Sequence, residues 1–291
     1  MKRGHKIAVL VSILGIVLFA LGDTLSRRYG EYEIKTAREA DDPQNPTPTW
    51  PIDSDFKKDV FTFARLQYEA NHSRYGRGHT LEKLRWSIDF PGGDLDLSYR
   101  LQQMTSIKVD PDGRVVKLTD TNVFEYPFLY IIEPSRGFVS DEEIPIMRKY
   151  LFNGGFVMFD DFWDDEEWKR FSEEMERLFP SDKFPNQKMF DLPLEHPIFH
   201  TVFDLKEKPQ VPGIEHFVRW GRTHERGYEG EEVHYRGIVD DKGRLIALIC
   251  HNTDLGDGWE REGENTEYFS KFSEPKAFPM GINAIVYAMT H

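Results

Sequence analysis

Two adjacent aspartates pose the chemical question. In GGFVMFDDFWDD (residues 154–165) an apolar run stops at Asp160 and Asp161, and an acidic helix start follows. Two neighbouring carboxyls push one pKa upward, as general acid–base work requires. The same pair, with Glu133, offers oxygens to a divalent cation. The plainer assignment is local: Asp161 or Asp164 caps the helix, and its acidic first turn complements the dipole. A second polar cluster, HNTDLGDGW (251–259), supplies His251, Asn252, Asp254 and Asp257 beside Trp259. Its oxygens suit calcium, but the alternate-residue spacing of an EF-hand fails because position 256 is glycine. A self-bonded Asx-turn loop accounts for it without a ligand. Asp160, Asp254 and Asp257 are therefore the candidate metal ligands for a divalent cation, and Asp160, Asp161 and His251 the candidate catalytic groups.

Other motifs carry less. His196 and His200 in EHPIFH have zincin-like spacing, but Pro197 biases its predecessor out of helix and no HExxH is present, so a turn entering a strand is expected. EVHYRGIVDDKGRLIALIC (232–250) reads as a β-hairpin turning at 240–243. With the turn centred on Asp241-Lys242, residue 234 faces 249, and His251 lies diagonally from His234 at about 7–8 Å. The two histidines could then converge on one site, and a slip of one residue would separate them. Arg219, Arg222, Arg226 and Arg236 are interleaved with aromatics, as an anionic glycan or phosphate would require. Glutamates 215, 225, 229, 231 and 232 balance them, so that stretch reads as a solvated face.

The elements that must position these groups follow an α/β pattern. Strands are expected at 60–68, 126–133 and 156–159, and the near-continuous apolar run at 126–133 suits a sheet covered on both faces. Leu97, Leu101 and Met104 mark a helix over 94–105. Ser140-x-x-Glu143 opens another, carrying Ile144, Met147, Tyr150 and Leu151 on one face; Pro145 is expected to distort it and Gly154-Gly155 to end it. Trp168, Phe171, Met175 and Leu178 mark the next, and Ile282, Ile285, Val286 and Met289 the last. The alternation implies a mostly parallel sheet with right-handed crossovers. Ligands bind outside the carboxyl ends of such strands. Three segments should meet there: loop 69–93 with Trp86 and Asp89, EPSRG with Glu133, and DDFW. The first is about 25 residues, beyond the usual loop length, which favours a functional role. Trp86, Asp89, Glu133, His234, Asn252, Asp254 and Asp257 are thus the candidate ligand-binding residues.

With 291 residues, 39% hydrophobic and 14% aromatic, the chain can bury a large core. A formal charge of −13 argues against nucleic acid or an anionic membrane face as partner. The basic MKRGHK precedes an apolar run at 7–22, with small residues at Ala20 and Gly22 for signal peptidase. Residues 1–22 are expected to be a cleaved signal peptide or an N-terminal membrane anchor, touching the membrane at least during export. The remainder would be periplasmic or held at the cytoplasmic membrane of a bacterial envelope. Residues 23–57, charged and then Pro/Thr-rich, read as a flexible tether. Cys250 is the single cysteine, so no intrachain disulfide forms.

Taken in order, FTFARLQY, YPFLYIIEP, LFNGGFVMFDDFW, LPLEHPIFH, HYRGIVDDKGRL, HNTDLGDGWE and MGINAIVYAMTH resemble the domain-of-unknown-function family numbered 4159, over about residues 58–291. The resemblance implies a flavodoxin-like three-layer α/β sandwich similar to class I glutamine amidotransferases, with a late β-hairpin, and implies no activity. In amidotransferases the strand equivalent to FVMF ends in an elbow bearing cysteine. Here the corner holds Asp160-Asp161-Phe162, and a carboxylate is a poor acyl-transfer nucleophile beside a thiolate. Cys250 closes a different strand, with its neighbour His251 on the opposite face. Amidotransferase chemistry is therefore rejected. The first expectation is an exported, non-catalytic module binding an envelope protein or a small-molecule ligand. The alternative is a hydrolase, metal-dependent or not, using Asp160 and Asp161 with His251 and Asp254.

Overall fold

The computed structural model describes residues 34–41, 46–52, 54–56, 59–69 and 84–291; the apolar run at 7–22 and residues 70–83 of the long loop lie outside the described residues. One sheet of seven strands organises the chain: β1 (Ala64–Leu66), β2 (Arg114–Val116), β3 (Phe128–Ile132), β4 (Phe156–Asp160), β5 (Phe190–Asp191), β6 (His234–Val239) and β7 (Leu245–His251). Their order is β2-β1-β3-β4-β7-β6-β5. The first five in that order run parallel, and β6 is antiparallel to both β7 and β5. This is consistent with a flavodoxin-like sandwich carrying two antiparallel strands at one end.

Alternation along the strands separates two cores. Phe128, Tyr130, Phe156, Met158, Leu248 and Cys250 face one side. Leu129, Ile131, Val157, Phe159, Ala247 and Ile249 face the other. Helices α1 (Gly92–Met104) and α6 (Phe278–Thr290) cover the first core, through Leu97, Leu101, Ile282 and Ile285. Helices α2 (Ile144–Phe152) and α3 (Asp164–Leu178) cover the second, through Met147, Leu151, Phe171 and Met175. Two shorter helices, α4 (Ile214–Trp220) and α5 (Leu255–Glu260), lie between β5 and α6 in the chain. A π-helical stretch, Phe269–Ala277, leads into α6.

Several expectations need correction. Pro145 does not distort α2, because it falls in the first turn, where its missing N–H is not needed. The Ser140–Glu143 capping box does form, with both reciprocal bonds present (2.9 and 3.3 Å). The strand expected at 60–68 is short, and only Ala64–Leu66 pairs continuously. The hairpin register differs by two, so that His234 faces His251 directly: the turn centres on Lys242, with Val239 facing Leu245, and the pairing shifts by one more at Ile238/Val239. His196 and His200 flank a 3₁₀ turn, Pro197–Phe199, and separate: His196 Nδ1 accepts from the Ile198 N–H, while His200 bonds Asp204 and the Leu194 carbonyl. The segment read as a tether is not free where described. The Val115 N–H donates to the Lys35 carbonyl, the Trp50 indole to the Val109 carbonyl, and Ala37 is fully buried. No helix among the described residues is long and apolar enough to cross a membrane.

Candidate functional site

At the carboxyl end of β4 the two aspartates part ways. Asp160 shares parity with Phe156 and Met158 and is fully buried. Its Oδ2 accepts from the Tyr130 hydroxyl (2.9 Å) and from the backbone N–H groups of Leu255 (2.9 Å) and Gly256 (3.0 Å). Burial pushes its pKa up to about 7, against the pull of those donors. Asp160 thereby ties the start of α5 to the sheet, which is an architectural task.

Asp161 leaves the strand with a left-handed backbone (φ 54°). Glu133 after β3 (φ 44°), Asn252 after β7 (φ 61°) and Asp89 in the long loop (φ 58°) do the same. Each turn of this kind in a residue with a Cβ is unfavourable and persists only where its surroundings enforce it. Asp161 Oδ1 accepts from the Trp163 indole N–H (3.1 Å), and no described residue donates to Oδ2. Asp254 caps α5, its Oδ1 accepting from the Asp257 N–H (2.8 Å). Glu225 Oε1 accepts from the Gly213 N–H (2.9 Å), with His216 Nδ1 at 3.4 Å. Oxygens of Asp161, Glu225 and Asp254 all lie within 4.8 Å of one another.

A second trio, Asp89, Asp257 and Glu260, meets within the same limit. Its charges are better matched. Asp257 accepts from the Ile214 N–H, the Tyr268 hydroxyl and Arg261 Nε, and Glu260 also pairs with Arg261. Asp89 is the exception. It is 9% exposed, and no described residue donates to its side chain. Gly256 lets it come close, since a Cβ there would stand 2.3 Å from Asp89 Oδ2.

The trios form one acidic basin. Burial raises Asp161 well above the ordinary carboxylate range, and Glu133, Glu225, Asp89 and Asp160 push further. Burial likewise raises Asp254, with Asp161, Asp89, Asp257 and Glu225 adding to it. Burial lifts Glu225 to about 7, although the Gly213 N–H and Arg226 oppose this. Asp89 rises through burial, Asp257 and Glu260, with Arg65 and Arg261 restraining it. The leading influences on Asp161 and Asp254 include no positive charge.

The remaining candidates sit elsewhere. Trp86 is 3% exposed and packs on Phe90; its carbonyl accepts from Arg65. Glu133 reaches the rim but pairs with Arg85 (2.8 Å). Asn252 is a staple: Oδ1 accepts from the Asp164 N–H, and Nδ2 donates to the Glu229 and Glu232 carbonyls. His251 is on the other face of the sheet, among Phe162 (4.9 Å), Trp168 (5.2 Å) and His234 (5.6 Å). Its Nε2–H donates to the Asp164 carbonyl (3.0 Å), and burial first, then Arg236 and His234, lower its pKa to about 3. It is a neutral packing group, not a base for Asp160 or Asp161. Glu225 was missed among the charges of 219–236, where only its bond to Gly213, twelve residues upstream, distinguishes it.

The chain belongs to the family described as a domain of unknown function (DUF4159), which it matches over residues 62–289. No curated protein matches it.

Proposed function

With no activity to inherit from that family, we propose that the chain is a non-catalytic ligand-binding module of the cell envelope, and that its ligand enters the acidic basin at the carboxyl end of the sheet. The observation that carries this reading is the trio Asp161, Glu225 and Asp254. These carboxyls are drawn within 4.8 Å of one another in a largely buried place, and no cation ranks among the main influences on Asp161 or Asp254. Groups that repel one another weaken a fold, and such arrangements persist where function requires them. A hydrolase built on Asp160, Asp161, His251 and Asp254 has less support. Asp160 is occupied with α5, and His251 lies across the sheet. Placement in the envelope rests on the basic and apolar start of the chain.

The test is the stability of Asp254→Asn and Glu225→Gln without ligand at neutral pH. Asparagine still caps α5, and glutamine still accepts from Gly213, so each variant keeps its bond and loses its charge. At an effective dielectric near 20, two full charges no more than 4.8 Å apart repel by at least about 3 kcal/mol, and proton uptake lowers this. Both variants should therefore be more stable than wild type by about 1 kcal/mol in urea unfolding. Destabilisation of both would make the basin a structural element and end the proposal.

A further inference from the structure

We infer that Asp161, Glu225 and Asp254 coordinate one divalent cation of calcium size, an inference that rests on the basin being a binding site. The donor set is all oxygen, which selects a hard cation over zinc or copper. Ligand oxygens 2.3–2.6 Å from a calcium ion can stand at most about 4.6–5.2 Å apart; around magnesium the limit is about 4.0–4.2 Å. The trio's oxygens all lie within 4.8 Å of one another, inside the calcium limit, and a largely buried set of three carboxylates suits calcium better than magnesium, which keeps several of its waters.

Two further observations point to a missing positive charge. Asp161 is 8% exposed, and the one hydrogen bond its side chain accepts from the described residues is the Trp163 indole's, at Oδ1, which leaves Oδ2 to the basin. Asp89, 9% exposed, has a buried Oδ2 with no donor and is close enough to raise both Asp161 and Asp254. Buried anionic oxygens are ordinarily paired, hydrogen-bonded or bound to metal. In the neighbouring trio Asp257 and Glu260 meet this requirement with Arg261 and the Tyr268 hydroxyl, and Asp89 does not. The Asp161 trio meets it with a cation. Three carboxylates supply three to six oxygens, leaving room in a calcium sphere for solvent or for an oxygen of the ligand. Asp89, which raises both Asp161 and Asp254, adds negative charge nearby.

The experiment uses the full-length chain, stripped with a chelator and titrated with CaCl₂ and with MgCl₂ by calorimetry and thermal unfolding. Expected results are one saturable calcium site per chain, a rise in Tm on saturation, and weaker binding of magnesium. Asp161→Asn and Asp254→Asn should weaken calcium binding at least tenfold, while Asp182→Asn, distant on the surface, leaves it unchanged. If Asp161→Asn fails to fold, Glu225→Gln carries the same expectation. Calcium binding of equal strength in the basin variants would place the ion elsewhere and overturn the inference. No saturable binding would overturn it too. In that case, variants more stable than wild type would leave the basin as a site for a cationic organic ligand. Variants less stable than wild type would remove the binding site altogether.

Discussion

The loop segment carrying Asp89 is held by one buried ion pair, and breaking it makes a quantitative prediction. Arg65 and Asp94 are both fully buried. Arg65 Nε donates to both carboxylate oxygens (2.9 and 3.0 Å), Nη2 donates to Oδ1 as well, and Nη1 donates to the carbonyls of Trp86 (3.1 Å) and Ile88 (2.8 Å). The guanidinium also lies 4.9 Å from the Tyr130 ring centre. Burial opposes the charge on both partners: Asp94 outweighs it for Arg65, whereas burial still raises Asp94 against the pull of Arg65, and the three guanidinium hydrogen bonds to the carboxylate fix the pair as ionised. Arg65→Met strands a buried carboxylate and two carbonyls. Removing one partner of a buried pair costs about 3–5 kcal/mol. Asp94→Leu should cost a similar amount, since it strands the guanidinium. The double variant removes both charges and should recover much of the loss, so the coupling energy should be about 2–4 kcal/mol. Urea unfolding followed by tryptophan fluorescence reads all four corners of the cycle. Additive losses would show that the pair is not coupled as the geometry requires, and the reasoning would fail.

Further expectations concern the basin and its supports. Gly256→Ala places a Cβ 2.3 Å from Asp89 Oδ2 and 2.7 Å from the Tyr130 hydroxyl, so overpacking of about 1–3 kcal/mol should outweigh the gain in helix propensity; a more stable variant in thermal unfolding would contradict this packing. Glu225 has a folded pKa of about 7, raised from its ordinary value. Its contribution to stability is full below the ordinary value of 4.5 and is lost as pH rises through about 7. Measured against Glu225→Gln, the cation-free wild type should lose stability from pH 5 to 8, and a flat difference would refute the assignment. Asn252→Gly relieves a left-handed backbone but deletes three partly buried hydrogen bonds, for a net loss of about 1–3 kcal/mol. Asp161→Gly relieves the same kind of backbone and deletes one bond, so it should stay within about 1 kcal/mol of wild type.

Much of this architecture is legible in residue order. Continuous apolar runs at 128–132 and 156–159 announce central parallel strands, and the rule that strand ends gather ligand groups brings Asp89, Glu133 and Asp161 to one end of the sheet. Helix α5 is not legible, because Gly256 and Gly258 are poor helix formers and read as a loop. Both are there for close approach: a Cβ on Gly258 would stand 2.5 Å from that of Ala277. Glu225 is invisible because its role depends on a fold contact with Gly213, and its neighbours are charged in both signs. His251 misleads because it precedes the acidic loop directly, while strand parity sends it to the opposite face.

Three strand ends and one loop use left-handed backbone without glycine: Glu133, Asp161, Asn252 and Asp89. Glycine would make each turn at lower conformational cost, so the side chains must matter to something. For Glu133 the return is the pair with Arg85, and for Asn252 it is the stapling of α3 to residues 229–232. Asp161 has a single bond to the Trp163 indole, and Asp89 has none to its side chain among the described residues. Internal structure therefore accounts for the first two and not for the second two. The unexplained residues are also the ones that face other carboxylates: Asp161 beside Glu225 and Asp254, Asp89 beside Asp257 and Glu260. In Asp161, strain without structural return is joined to repulsion from Glu133, Glu225 and Asp89, and this is the pattern on which the proposed cation site rests. On that ground, of the two adjacent aspartates, Asp160 belongs to the scaffold and Asp161 to the site.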